Sequence, residues 1–391
     1  MAEAPLKGVR VIELARILAG PWAGQLLADL GADVIKIENP DGGDDTRKWG
    51  PPFVKGADGE NLSAAYYHSC NRGKRSVAVD FSTPEGAETV RRLAASADVF
   101  IENFKLGGLK KYGLDYESLA KLNPRLVYCS ITGFGQDGPY APRAGYDFIV
   151  QGMSGLMSIT GEAGREPQKV GVAVTDLFTG LHSVIAIQAA LRHADRTGEG
   201  QHIDMALFDA QIAVLANQNL NYLVSGKAPK QMGNAHPNIS PYEVVPVSDG
   251  HVIIAVGNDG QFGKLCRIVG LDRLPADARY ATNAARVENR VALHDALVAA
   301  FVPLRRDDLL AKLEAAGVPA SPINTIGQMF DDPQVKARGM RIDLDDGHGN
   351  SLPGVRSPLR MSKSPLAYHR PSPRLGEHTA EVLAELENEK S

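Results

Sequence analysis

Short apolar runs alternate with amphipathic segments through the first 135 residues, and this alternation constrains the fold more than any other feature of the chain. Alternating strand and helix patterns predict a parallel sheet with helices on both faces, so the predicted fold class is α/β. A parallel sheet binds ligands beyond the carboxyl ends of its strands. We therefore expect a site in four loops, which follow Leu14, Ile37, Glu102 and Thr132.

The second half of the chain gives a different pattern. Residues 225–240 are rich in Gly, Pro, Asn and Lys, which predicts a linker. A β-hairpin pattern over 242–256, followed by helical segments, predicts a small α+β domain. The predicted organisation is a large domain over 1–224, a linker over 225–240, a small α+β domain over 241–325 and a final segment over 326–391.

Composition and missing motifs exclude several function classes. The formal charge of −4, without a dense basic run, argues against nucleic acid as a partner. No apolar run reaches about 18 residues, so we expect no membrane span. The three cysteines are far apart and no secretory leader is apparent, so we expect no disulfide, no metal site and a cytoplasmic location. The chain has no phosphate-binding loop, no HExxH and no GxSxG.

Asp176 is the first residue of interest, because it precedes the long helical pattern of residues 177–193. Its spacing favours an N-cap aspartate. The same position would keep a carboxylate ionised for attack on an acyl group. Tyr146 reads as a loop aromatic and Asp147 as a cap of the following helix, while residues 257–261 form either a simple turn or an anion-binding loop.

Short motifs follow one another in a distinctive order over residues 6–386. They lie at residues 19–21, 34–38, 43–47, 71–76, 102–104, 122–125, 145–147, 174–177, 179–180 and 376–379. Each is weak alone, but the ordered set resembles the class III CoA-transferases, the family of CaiB/BaiF proteins and formyl-CoA transferases. The resemblance implies a Rossmann-like large domain and a small domain. It also implies that the final segment returns to the large domain, so that the chain forms a ring and two rings interlock in a homodimer.

The resemblance also implies the chemistry. Asp176 would attack the donor acyl-CoA to give an anhydride, and the released thiolate would then form an aspartyl-CoA thioester. The substrates would be acyl-CoA and small carboxylic acids, with no metal and no permanently bound cofactor. The supporting residues implied are Tyr146, Asp147, Gly257, Gly260 and Gln261.

CoA contacts are implied in the same way. They are Ile17, Asn39, Lys74, Arg75, Val79, Asn103, Phe104, Lys111 and Arg143. Asn39 stands where formyl-CoA transferases have an arginine, so Arg47, Lys74 or Arg75 would supply the phosphate contact. Leu18 replaces the family's glutamine, which argues against formate or oxalate as the substrate.

Further segments resemble the branch that uses succinyl-CoA and glutarate, which implies a dicarboxylate acceptor. The candidates for its second carboxylate are Arg16, Arg47, His236 and Ser240. For Arg47 the alternatives are a CoA phosphate or the neighbouring Asp44 and Asp45. The alternative activities are formyl-CoA or carnitine CoA transfer, non-catalytic CoA binding, and α-methylacyl-CoA racemisation. Tyr146 argues against the racemase, because tyrosine is a poor base at the position of the racemase histidine.

Overall fold

The computed structural model of the protein describes residues 3–388 and divides into two compact units. The large unit contains the chain up to Leu156, then Lys169–Val224, and then the chain from Pro333 onward. The second unit contains Met157–Gln168 and Ser225–Asp332. The large unit is therefore built from three separate stretches of sequence.

The first part of the chain alternates strands and helices as the sequence predicts. The strands are β1 (Arg10–Leu14), β2 (Asp33–Glu38), β3 (Phe53–Lys55), β4 (Asn61–Ala64), β5 (Arg75–Ala78), β6 (Val99–Glu102), β7 (Val127–Thr132) and β8 (Gln201–Ala206). The helices are α1 (Ala19–Asp29), α2 (Ala65–Ser69), α3 (Pro84–Ala95), α4 (Tyr116–Leu122), α5 (Asp147–Met153), α6 (Leu156–Ile159), α7 (Val174–Thr197), α8 (Leu207–Ala213) and α9 (Asn217–Ser225).

A six-stranded parallel sheet forms the centre of the large unit, in the order β5-β2-β1-β6-β7-β8. This confirms the predicted α/β class with a parallel central sheet. Successive connections run in opposite directions from β1, first toward β2 and β5 and then toward β6, β7 and β8. The loops after β1 and β6 therefore diverge and leave a crevice at the carboxyl edge, which is where such folds bind ligands.

Alternating side chains of the strands fill the two faces of this sheet. On one face, Val11 and Val99 pack with Leu27 of α1 and Ile187 of α7. On the other face, a second core contains side chains of the central strands, α3, α4 and the last helix of the chain, namely Ile12, Ile35, Phe100, Val90, Leu119 and Val382. Both faces are buried, which explains why the strands are nearly continuous apolar runs.

Charged side chains are also buried near the crevice and form what we call the buried charge network: Glu13, Lys36, Glu38, Asp44, Arg47 and Lys74. The Nζ atoms of Lys36 and Lys74 lie 3.0 and 2.7 Å from Glu13 carboxylate oxygens. Helix α1 passes so close to Glu13 that a Cβ at Gly24 would lie 1.8 Å from its Oε2. A glycine is therefore required at that position.

Helix α7 is long and apolar enough to cross a membrane by length and composition, which the sequence analysis did not expect. One face of it, with Thr175, Ser183, Ile187 and Ala190, is buried within the large unit, while Leu181 and Ile185 are exposed. Two other helical predictions are corrected. The pattern over 145–160 forms α5 and α6, and the pattern over 207–224 breaks before α9 at Ala216, whose φ is +46°.

The second unit contains an antiparallel sheet in the order β11-β10-β9. Its elements are β9 (Tyr242–Val247), β10 (Gly250–Ala255), α10 (Asp259–Ile268), α11 (Asn283–Glu288), α12 (Arg290–Phe301), α13 (Arg306–Ala315), β11 (Ala320–Pro322) and α14 (Ile326–Asp331). Residues 157–168, predicted in the large domain, belong here because Gln231 and Gly233 donate hydrogen bonds to Thr160 and Gly161. The predicted linker, 225–240, belongs to this unit as well.

The final stretch rejoins the large unit at Pro333, seven residues later than the predicted start at 326. It contains α15 (Pro333–Ala337), β12 (Arg341–Asp345), β13 (Ser351–Val355) and α16 (Thr379–Asn388). The amide of Gly73 donates to the carbonyl oxygen of Arg370 at 3.1 Å, and the amide of His378 donates to that of Ser76 at 3.0 Å. These bonds tie the end of the chain to the strand β5 region.

Candidate active site

A cavity of about 420 Å³ lies in the large unit at the carboxyl edge of the sheet. The loops after β1, β6 and β7 line it, together with the first turn of α7. It brings together seven of the residues singled out from the sequence: Arg16, Ile17, Asn103, Phe104, Arg143, Tyr146 and Asp176. Three of the four loops expected to carry the site therefore meet at one cavity.

Asp176 is the third residue of α7, and Ala173 is the N-cap, so the prediction of Asp176 as an N-cap is wrong. Its carboxylate has no hydrogen bond or ion pair with any other residue between 3 and 388, and it lines the cavity. Burial raises the pKa of Asp176 to about 7, and the negative charge of Asp147 adds to the shift. The positive end of the helix favours the ionised form in opposition to both effects.

Asp147 accepts a hydrogen bond from the first turn of helix α7. Its Oδ1 accepts the backbone N–H of Thr175 at 2.8 Å, and its Oδ2 accepts the amide of Gln151 at 2.7 Å. Thr175 in turn donates its hydroxyl to Gln211 Oε1 at 2.7 Å. Asp147 therefore caps α7 rather than its own helix α5, whose N-cap is Tyr146. This arrangement fixes a second negative charge beside Asp176.

Two aromatic residues border Asp176. Tyr146 lines the cavity and is 56% exposed. Tyr66 of α2 was not predicted from the sequence, yet burial and the charges of Asp176 and Asp147 raise its pKa to about 12. Its ring meets that of Trp49 edge to face at 5.5 Å. No local pattern could have identified Tyr66, because more than 100 residues separate it from Asp176 in the sequence.

Ile17 has a strained backbone at the rim of the cavity. Its φ is +73°, a region that β-branched residues rarely adopt and that costs on the order of 1–3 kcal/mol. Its N–H lies 3.3 Å from both carboxylate oxygens of Asp44, which is itself held by Lys36 at 3.0 Å. The buried charge network therefore fixes the backbone that faces the cavity.

A second pocket of about 210 Å³ lies between the loops after β1 and β2. Its walls are largely apolar and include Phe81 and Phe104, whose rings meet edge to face at 5.4 Å. Asn39 lines this pocket, as the predicted CoA contact would require. Arg16 lines both this pocket and the larger cavity, and its guanidinium is paired with Asp45 at 2.8 Å.

Three predicted ligand-binding cations are committed to partners inside the protein. The ammonium of Lys74 is fully buried on Glu13, and the guanidinium of Arg47 donates to Glu38 at 2.6 and 2.8 Å. Arg75 is buried at the amino end of β5, the opposite edge of the sheet from the cavity. Its partners are Asp33, Glu381 and Glu385. The structure thus corrects their assignment to CoA or to the acid substrate.

The remaining predicted residues lie elsewhere. Val79 packs against the apolar core of the α3 face, and Lys111 is exposed, with its Nζ 4.6 Å from the ring centre of Tyr112. Neither lines the two pockets described above. Five further residues belong to the second unit: Gly257, Gly260, Gln261, His236 and Ser240. There Gln261 accepts the N–H of Gly257 at 2.8 Å, which closes the predicted loop on itself.

Sequence reasoning missed much of the cavity wall, which includes Lys105, Gly108, Thr132, Pro142 and Leu207. Most of these residues follow a strand end, so the loop argument places them in the right region without naming them. No group of three or more His, Cys, Asp or Glu side chains among residues 3–388 has the arrangement of a metal site. Asp176 supplies the carboxylate that lines this cavity.

Comparisons with known proteins agree with this geometry. Residues 6–379 match the family model of CoA-transferase family III. The chain is 67% identical to a succinate–glutarate CoA-transferase of Agrobacterium fabrum, over 98% of this chain and 96% of the relative. It is 43% identical to a succinyl-CoA:glutarate CoA-transferase of Mus musculus, over 98% of this chain and 86% of the relative.

A solved structure is similar to this chain over almost the whole chain. The crystal structure of a CaiB/BaiF family protein from Brucella suis shares 63% sequence identity and has a TM-score of 0.88. The similarity covers 99% of this chain and 100% of that one. Fold and sequence comparisons thus point to one family.

Proposed function

The chain belongs to CoA-transferase family III, and we propose on that basis that it transfers CoA from succinyl-CoA to a dicarboxylic acid such as glutarate. The protein is a CoA-transferase that acts on CoA thioesters as substrates. The proposal concerns which acyl group donates CoA, which acid accepts it and which residues perform the reaction. The named relatives with succinyl and glutaryl substrates support this choice of acids.

The observation that carries the proposal is the Asp176 carboxylate. It lies at the start of α7, open to the cavity and without a partner among the described residues. A carboxylate whose pKa is raised toward 7 is more basic than an ordinary aspartate and therefore a better nucleophile. The N–H groups at the helix start favour negative charge there.

The proposed reaction has four steps and consumes no proton or electron overall. Asp176 Oδ attacks the thioester carbonyl carbon, the C–S bond breaks, and CoA leaves as the thiolate while a mixed anhydride forms. The thiolate then attacks the Asp176 carbonyl carbon and releases succinate, leaving an aspartyl-CoA thioester. The acceptor carboxylate displaces the thiolate from this thioester, and the thiolate finally attacks the new anhydride to give product and free Asp176.

The two neighbouring pockets support the proposal that CoA binds at this edge of the sheet. The apolar pocket lined by Phe81 and Phe104 suits an aromatic base, and Asn39 provides a polar group in its wall. Ile17, Asn103 and Arg143 line the larger cavity that leads to Asp176. These residues are the proposed CoA contacts. Lys111, an exposed cation between β6 and α4, is a further proposed contact.

A panel of acids tests the substrate. Purified protein is mixed with succinyl-CoA and one acid at a time, and the new CoA thioester is identified by mass spectrometry. We expect C4–C6 dicarboxylates to be used in preference to oxalate, carnitine and formate. A strong preference for carnitine or oxalate would overturn the acid assignment while leaving the transferase class intact.

We also propose that the protein is an interlocked homodimer. Large apolar side chains are exposed on the described surface of the large unit: Phe148, Ile149, Ile185, Leu223 and Val224. Ile185 of α7 is 65% exposed and Val224 is 84% exposed, which is costly unless another chain covers them. Mixed samples of tagged and untagged protein should form no hybrids over days, because interlocked rings cannot separate while folded.

Two smaller proposals complete the assignment. No permanently bound cofactor is needed, because the four steps involve only the two substrates and Asp176. A cytoplasmic location fits Cys70, Cys129 and Cys266, all of which are free and buried. Fractionation of the source cells would test the location.

A further inference from the structure

A pocket of about 220 Å³ lies within the second unit, between the segment that precedes β9 and the helix α12. Its apolar lining includes Met232 and Ile239. Three basic side chains line it, namely His236, His294 and Arg290, together with the polar residues Ser240, Tyr242 and Glu243. Basic groups in a concave site are the usual means of holding an anion.

His236 offers a fixed donor to this pocket. Its Nδ1 accepts the backbone N–H of Asn238 at 3.1 Å, so the neutral ring carries its proton on Nε2. The ring packs at 5.2 Å from that of Tyr242, and its own amide donates to the Tyr242 carbonyl oxygen at 3.0 Å. Among the described residues Nε2 has no partner, so its N–H is available to a ligand.

His294 offers a second imidazole edge. Its Nδ1 lies 2.5 Å from Glu243 Oε2, and the hydrogen bond orients the ring with Nε2 on the far side. The side chain is 43% exposed, so solvent and ligands reach it.

Arg290 places a positive charge beside the pocket, and no acidic side chain among the described residues pairs with it. It precedes His294 by one helical turn on α12, so both side chains lie on one face. Its guanidinium donates to the carbonyl oxygens of Val287, His236 and Pro237 at 3.1, 3.1 and 2.8 Å. Within residues 3–388 it forms no ion pair, so a full positive charge remains beside the pocket.

We propose that this pocket binds a carboxylate group, held by the Nε2–H of His236 and the positive charge of Arg290, with the ring of His294 lining the same pocket. The site goes beyond the proposed function, because its argument does not involve the chemistry of Asp176. The carboxylate is either that of an acid in turnover or that of a free acid bound apart from turnover. These two sources share one chemistry, and a kinetic experiment distinguishes them.

Binding is tested by NMR of the Cε1–H signals of the ten histidines in the full-length protein. The His236→Gln and His294→Gln spectra assign the two signals. We expect glutarate at about 20 mM, a concentration that detects even a weak millimolar site, to shift both signals and to leave the exposed His251 unchanged. Glutaramide, which has the same length without a carboxylate, should shift neither.

The kinetic measurement uses His236→Leu and His294→Leu, with His251→Leu as the matched control in the same unit. If the pocket serves turnover, both variants raise KM for glutarate about tenfold, or about 1.4 kcal/mol, with kcat changed less than about twofold. If it holds a free acid, KM is unchanged although glutarate still shifts both signals.

The proposal is overturned if glutarate shifts neither histidine signal in a protein that transfers CoA to glutarate. The proposed function would survive that result. The opposite result, both signals shifting in a protein without transferase activity, would overturn the proposed function and leave the pocket assignment intact. The His→Gln variants also report on folding, because their eight other described histidine signals should stay in place.

Discussion

Two groups of acidic side chains lie near the same edge of the parallel sheet, and they differ in their partners. In the buried charge network, Glu13, Glu38 and Asp44 each contact a lysine or arginine. Beside the cavity, Asp147 and Asp176 contact no cation among the residues described. Carboxyl groups therefore occur in two settings here: one group is held by cations, and the other has no cationic partner among the described residues.

The pKa values of Asp44 and Asp176 move in opposite directions. Burial alone raises the pKa of Asp44, but Lys36 and the hydrogen bonds from Thr46 more than offset it and hold the value at about 2. Burial also raises the pKa of Asp176, and here Asp147 adds to the shift instead of opposing it, giving about 7. Partners, more than burial, thus decide which carboxylate stays ionised.

The largest effect is expected where the reactive carboxylate is removed. Asp176→Asn should reduce transfer to background, a loss of roughly 10⁴-fold or more, because an amide cannot form the anhydride. The rate of glutaryl-CoA formation from succinyl-CoA measures this. The control is Asp209→Asn, an exposed aspartate of α8. Full activity in Asp176→Asn would show that the two acidic groups do not differ in function.

Breaking the paired group should instead affect stability. Lys74→Met leaves Glu13 buried with one lysine fewer and should lower the free energy of unfolding by about 3–5 kcal/mol, measured by denaturant titration. The matched control is Arg341→Met, which removes an exposed ion pair with Asp343 and should cost at most about 1 kcal/mol. Equal losses in both variants would argue against a special role for the buried network.

The pH profile separates the contributions to the reactive group. The proposed reaction requires ionised Asp176, so kcat/KM should rise with pH through about 7 and level off above it. Asp147→Asn keeps an oxygen that can accept the Thr175 N–H but removes the negative charge. The rise should then move to lower pH. A profile that stays in place would mean that Asp147 does not act through its charge.

A smaller effect is expected on pH-dependent stability. Because the pKa of Asp176 is raised in the folded protein, ionisation of this carboxyl group lowers the free energy of unfolding. Asp176→Asn should therefore raise the thermal midpoint at pH 8 and change it little at pH 4. The lowered pKa of Asp44 has the opposite effect on stability. Its stabilisation is present above about pH 4, the ordinary aspartate value, and is lost as pH falls toward 2. Parallel thermal scans of wild type and Asp176→Asn at pH 8 and pH 4 check the sign for Asp176.

The sequence predicted the sheet because alternating apolar runs leave few other folds, and an ordered set of motifs led to the proposal of Asp176 as the nucleophile. It failed for Lys74 and Arg47 because a sequence shows charges without distances. Glu13 is 61 residues from Lys74 in the sequence, and no local pattern indicates that they are in contact. The N-cap reading of Asp176 failed for a different reason, since α7 begins two residues earlier and takes its cap from Asp147.

The tie between the end of the chain and β5 also has a consequence for synthesis on the ribosome. Arg75 is buried against Glu381 and Glu385, yet more than 300 residues must be translated before these partners emerge. Until then the β5 edge of the sheet lacks the segment that covers it. The large unit can therefore reach its final form only after Glu381 and Glu385 have been translated. A chain released before these residues would expose this edge to other proteins.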